Sequence, residues 1–186
     1  MKLLFVLLLS ALFFAGCQTD GTKSSATENM DAATLSKKIE TTRNQIYNEK
    51  NNKFDQEKAL EYIKYCQSYA KVAPQDPEAA KYLFQAAETA RSIKKYDLAI
   101  TIYDQIYTDF SSYPKAPQAM FLKAFTLDSE MQKYDQAKVI YQEFVEKHPT
   151  DEFADDTKFL LENLGKSDEE IIKQFEEQQA KMKEGK

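Results

Sequence analysis

The chain offers few side chains that do chemistry readily, and their surroundings decide what each can do. There are two cysteines, Cys17 and Cys66, and one histidine, His148. Cys66 stands among Ile63, Tyr65 and Tyr69 at helical spacing. There a thiol is expected to act as a small buried hydrophobe rather than as a reactive thiolate. His148 directly precedes Pro149. Triad or metal chemistry needs partners that the chain does not place close by. An imidazole at a helix end, against exposed carbonyls, accounts for the position. Asp151, Glu152, Asp155 and Asp156 cluster at an expected helix start. The positive end of a helix attracts such charge, which is favoured over the alternative of a metal site. Glu169 and Glu170 behind Ser167 read as a capping box. Tyr62, Tyr65 and Tyr69 have the rings to stack on a ligand or sugar, but their spacing favours core lining. Neither glycine-rich phosphate loop, G-x-x-x-x-G-K or G-x-G-x-x-G, is present. No catalytic residue, metal ligand or cofactor is assigned, and the expectation is a protein that is not an enzyme.

Cys17 is different because of what precedes it. Lys2 supplies one positive charge, and residues 3–14 are apolar except for Ser10. Such a run is short for a bilayer span but suits the core of an export signal. It ends at Phe14, Ala15, Gly16 and Cys17. This junction resembles the lipobox of bacterial lipoproteins, with Phe14 where Leu is usual. The resemblance implies a signal peptide over 1–16 and an acylated Cys17 as the first mature residue. More than one acyl chain makes such anchoring durable. Cys66 is then left without a partner, so no disulfide framework is expected. Gln18 stands where an Asp would resemble an inner-membrane retention signal. Delivery to the outer membrane is therefore expected, on its periplasmic face. Residues 18–20 also resemble a surface-export tag, which keeps the cell surface as the alternative. Residues 17–30 are read as the acylated Cys and a tether, since 18–29 is rich in Ser and Thr without an apolar period.

Composition describes the remainder. Hydrophobic residues make up 42% and charged residues 30%, enough for a packed core under a charged helical surface. Eleven Tyr and twelve Phe supply bulk in the absence of Trp. The net charge of −5 gives no general attraction for nucleic acid. None of the four glycines falls between Thr22 and Leu164. That argues for helices, and no strand is expected beyond residue 30.

The prolines set the punctuation. They lie at 74, 77, 114, 117 and 149, where a helix interior is excluded. The same text precedes each cluster. Phe54 and Asp55 lead to Ala59, Ile63 and Pro74. Tyr96 and Asp97 lead to Ala99, Tyr103 and Pro114; Tyr134 and Asp135 lead to Ala137, Tyr141 and Pro149. A repeat of this length signals a solenoid. Asp97 and Asp135 are expected to cap the helices that follow them. Ala99 and Ala137 are expected at close helix crossings. Tyr103, Ile106 and Phe110, like Tyr141, Phe144 and Val145, share a face. Helices are expected over 31–50, 55–73, 77–93, 96–111, 115–132, 135–147, 151–164 and 168–183.

Residues 96–124 and 134–165 resemble the tetratricopeptide repeat (TPR), in the form found in outer-membrane assembly lipoproteins and periplasmic division coordinators. Ala87, Ala137, Tyr141 and Pro149 fit the family's small, aromatic and terminating positions. Three extra residues before Pro74 and Pro114, and Phe125 after Ala124, depart from its pattern. The resemblance implies an all-α, TPR-like helix-pair solenoid over 31–166, with about three repeats. Residues 167–186 would form a capping helix with a frayed tail, or alternatively a partner-binding tail. The first helices would line a concave groove. Alignment on the repeat places Asn44 and Asn48 there from the first unit. The second unit adds Lys81, Phe84, Glu88 and Arg91, and the third Leu122, Thr126 and Ser129. Chaperone-binding relatives clamp a C-terminal carboxylate with a Lys at the place held here by Asn44, so that ligand is not expected. The implied function is a non-catalytic, lipid-anchored envelope scaffold for protein or peptide partners. A surface-exposed ligand-capturing lipoprotein is the alternative.

Overall fold

The computed structural model describes residues 30–48 and 53–184. The expected signal segment, Cys17 and the tether up to residue 29 lie outside them. Among the described residues the fold is a run of helices: α1 (Ala32–Arg43), α2 (Gln56–Val72), α3 (Pro77–Ser92) and α4 (Tyr96–Asp109). These are followed by α5 (Ala116–Phe125), α6 (Tyr134–Lys147), α7 (Ala154–Glu162) and α8 (Asp168–Glu184). From α1 to α7 each helix packs on its successor. Packing between neighbours in sequence is the mark of a solenoid, and the architecture is the expected all-α stack of helix pairs.

Proline places the boundaries through the backbone. α2 ends two residues before Pro74, and Pro77 opens α3, where a missing N–H costs nothing. Pro117 likewise sits in the first turn of α5, and Pro149 follows the end of α6. Asp31, Asp55 and Asp76 cap α1, α2 and α3 by accepting from Thr34, Lys58 and Glu78 N–H groups.

Asp97 and Asp135 do not cap. α4 and α6 begin at Tyr96 and Tyr134, so each Asp lies inside the first turn, and neither helix has a side-chain cap. Tight turns explain the shift. Lys94 and Gln132 take the left-handed conformation, at φ 59° and 53°. The next N–H groups fold back, Lys95 to Ala90 O at 2.8 Å and Lys133 to Leu127 O at 2.7 Å. In the first turn the two carboxylates still favour the positive helix end.

The expected helix over 31–50 is also corrected. α1 stops at Arg43 with Asn44 as its C-cap, and a two-residue antiparallel ladder follows: β1 (Tyr47–Asn48) and β2 (Lys53–Phe54). Ile46 continues the stripe of Leu35 and Ile39, which makes the segment look helical in sequence. The β-branched Thr41 and Thr42 weaken the helix end, and the aromatics Tyr47 and Phe54 suit a strand.

Alanine sets the close approaches. Ala59, Ala87, Ala99 and Ala137 are fully buried. Two core clusters share the load. One spans α1 to the start of α5, and the other joins α5, α6 and α7 around Phe121, Tyr141 and Phe144. α5 does not run on as a plain α-helix. It continues as a π-helical turn, Thr126–Glu130, packed against both α4 and α6. At the far end, Ser167 and Glu170 form the expected capping box for α8. Phe159 stacks on Phe175 at 6.1 Å between ring centroids.

Candidate functional site

The nine residues expected in the groove separate into distinct environments. Asn44 ends α1 and Asn48 lies in β1, so the first unit does not contribute them from a helix face. Phe84 is only 9% exposed. The rings of Tyr103 and Tyr113 lie 6.3 Å from it, and Lys115 Nζ sits 5.2 Å from its centroid. The extra residues before Pro114 therefore fold Tyr113 over α3 and turn Phe84 into core. Thr126 is fully buried, because the π-helical turn is wedged between α4 and α6. Its hydroxyl is satisfied by Leu122 O at 2.7 Å. Lys81 stays exposed and pairs with Glu78 at 2.9 Å; Leu122 is half-buried and Ser129 exposed.

Glu88 and Arg91 are brought together. Arg91 Nε lies 3.5 Å from Glu88 Oε1, and Nη1 lies 3.9 Å from Glu130 Oε1. Glu130 also accepts from the Tyr96 hydroxyl at 2.9 Å, and Glu88 accepts from the buried Tyr103 hydroxyl. The end of α3, the start of α4 and the π-helical turn are thus linked around one guanidinium. Burial opposes the Arg91 charge, but Glu88 and Tyr103 outweigh it and raise its pKa. Burial and the bond to Glu88 push the Tyr103 phenol well up. Arg91 Nε is shielded from solvent and makes no hydrogen bond.

Glu88, Arg91, Tyr96 and Glu130 line an open cleft of about 570 Å³, completed by Thr89, Ser92 and Lys94. Its walls carry fixed charges of both signs and hydroxyls. They are suited to hydrogen bonding with a polar chain, and among them there is no nucleophile paired with a base. Sequence reasoning found Glu88 and Arg91 but missed Tyr96, Lys94 and Glu130. Tyr96 carried a signal as the aromatic of the repeat. Glu130 carried none, since its pairing with Arg91 is made only by stacking.

The other chemical candidates settle into structural roles. Tyr62, Tyr65 and Tyr69 are buried in the core. Cys66 is buried with them, and burial pushes its thiol up to about 12, so it is not a thiolate near neutrality. His148 C-caps α6 and packs edge-on to Tyr107, with Nε2 3.4 Å from the Tyr107 hydroxyl. Asp151 accepts from Phe153 N–H at the start of α7. Among the described residues no group of three potential ligands is arranged to hold a metal ion, and no helix is long and apolar enough to cross a membrane.

A family model described as Tetratricopeptide repeat matches residues 118–151, which covers most of α5, its π-helical turn and α6. The chain contains a repeat of that kind, and such repeats serve as protein-interaction modules. No curated protein matches the chain.

Proposed function

We propose that this chain is a non-catalytic scaffold of the bacterial cell envelope, held by an acylated Cys17 and binding protein or peptide partners through its helix pairs. The observation that carries the binding role is the polar cleft around Arg91. A guanidinium is fixed between Glu88 and Glu130 at the junction of two helix pairs, beside the Thr89 and Ser92 hydroxyls and the Lys94 ammonium. An extended peptide brings carbonyls and side-chain acceptors that such a site can satisfy. The lipobox-like junction supports the anchor, and Gln18 supports delivery to the outer membrane, with the domain on the periplasmic side. Neither nucleic acid nor a cofactor has a part in this reading.

A photo-crosslinking residue at Ser92, in the cleft, tests the binding role in living cells. It is compared with one at Val139, exposed on α6. Discrete partner bands are expected from position 92, lost in Arg91→Glu. Equal crosslinking from both positions overturns the cleft as the binding site. The anchor is tested separately by incorporation of a clickable palmitate, which Cys17→Ser should abolish. Protease treatment of intact cells reports the face, since only a surface-exposed domain is digested.

A further inference from the structure

Tyr47 and Phe54 stand directly opposite each other in the β1–β2 ladder, so their side chains leave the same face. They are 49% and 46% exposed. The base of the ladder is fixed. Asp55 N–H donates to Ile46 O at 2.7 Å, Ile46 packs on the N-terminal core, and Asp55 itself caps α2. Two aromatic rings are therefore held outward on a firm base, and Leu60 is exposed in the next turns of α2.

We propose that this aromatic pair is a foot that rests in the interfacial region of the lipid bilayer. The inference relies on the acylated Cys17 proposed above. The chain from Cys17 to Met30 can span at most about 45 Å. α1, of 12 residues, is about 18 Å long, and the ladder follows its far end. Acyl chains and ring pair can thus reach the same membrane plane at once. Aromatic rings concentrate at the membrane–water boundary, where the ring meets acyl chains and its rim meets headgroups.

Area favours a bilayer over a protein. Two half-exposed rings offer about 200 Å², whereas a stable protein interface buries on the order of 1,200 Å² or more. A tethered foot needs far less, because the anchor makes the contact intramolecular. Resting on it would fix the tilt of the stack, with α1 and α2 against the membrane.

The chain has no Trp, so one introduced indole is a clean reporter. The full acylated chain is reconstituted into phosphatidylethanolamine–phosphatidylglycerol vesicles, with or without acyl-brominated phosphatidylcholine. Phe54→Trp, and independently Tyr47→Trp, should be quenched about twofold by the brominated lipid, as expected for a ring at the interface. Phe159→Trp, at the other end of the stack, should keep its intensity. Lack of quenching at 47 and 54 in a chain whose mass carries the acyl groups overturns the foot and leaves the anchor standing. A mass without acyl groups, and no flotation with vesicles, overturns the anchor and the foot with it. A concentration-dependent emission shift without quenching assigns the rings to self-association and overturns the foot.

Discussion

Tyr141 donates its hydroxyl to Asp128 Oδ2 at 3.3 Å, from α6 back to the π-helical turn that ends α5. One helix pair earlier, Tyr103 donates to Glu88 from α4 to α3. Each is the aromatic four residues after the buried alanine of its second helix, and each takes an acidic acceptor on the first. The repeat thus carries a polar stitch inside its core, and the stitch makes a prediction about pH.

Burial raises the Asp128 pKa, against a smaller opposing effect of the Tyr141 bond. A carboxyl whose native pKa exceeds its unfolded value binds its proton more tightly in the fold. Its contribution is complete below the unfolded pKa and is lost as pH rises through the native one. Asp128→Asn should remove that falling component between about pH 4 and the raised native value, and leave the neutral chain at least as stable as the parent. The amide still accepts from Tyr141 and carries no charge into the interior. Asp128→Ala instead leaves a buried hydroxyl without an acceptor and should cost about 1–3 kcal/mol. Urea denaturation of parent and variants from pH 4 to pH 7 gives these differences. A parallel pH profile for Asp128→Asn and the parent counts against the mechanism.

Ala99 and Ala137 are fully buried where second helices cross their neighbours. A larger side chain forces the helices apart or into strained rotamers, at about 1–3 kcal/mol. Ala99→Leu and Ala137→Leu should each lower the thermal midpoint by several degrees. Val139→Leu, on the exposed face of α6, should leave it unchanged.

Lys94 and Gln132 hold equivalent turns at positive φ with side chains that resist it. Glycine removes the Cβ clash but adds freedom to the unfolded chain, which returns part of the gain. Lys94→Gly and Gln132→Gly should therefore stabilise by about 0.5–1 kcal/mol each. A β-branched Val at either place should destabilise. Gly165, at φ 75°, supplies the reverse case. A Cβ there would make only ordinary contact with the Tyr134 ring, so the loss expected for Gly165→Ala comes from the backbone. Denaturant midpoints of the five variants test the ordering.

What the sequence made legible follows from how local each constraint is. Proline acts within its own residue and the one before it, and the boundaries of α2, α3, α4 and α6 fall within two residues of the expected ones. Burial of Ala99, Ala137 and the Tyr62 series follows from periodicity. Phe84 and Thr126 were misplaced for non-local reasons. Tyr113 reaches Phe84 from an inserted loop, and the π-helical turn interrupts the helix on which the alignment depended. One residue of slip turns a face by about 100°. The ladder after α1 escaped because Ile46 continues the helical stripe of Leu35 and Ile39. Lacking glycine, the two turns take the left-handed conformation with Lys94 and Gln132, at some strain, and no pattern in the sequence marks those positions.

The division of the core into two clusters makes the last prediction. Phe121 is the hub of the second cluster. Its ring lies 4.8 Å from Phe153, 6.1 Å from Phe125 and Phe144, and 6.3 Å from Tyr141. Truncation to Ala should cost about 3–5 kcal/mol in a well-packed site. Because stacked repeats couple chiefly to their neighbours, that loss should stay local. In Phe121→Ala, amide exchange should accelerate through α5, α6 and α7 while the amides of α2 and α3 remain protected, and the melt should broaden or split. Arg91, tying α3 to the π-helical turn through Glu130, is one polar bridge across this boundary. Arg91→Ala in the same background should widen the separation between the two transitions. Uniform loss of protection from α1 to α7 would mean that the stack folds as one cooperative unit, with the two clusters coupled as strongly across α4 and α5 as within each.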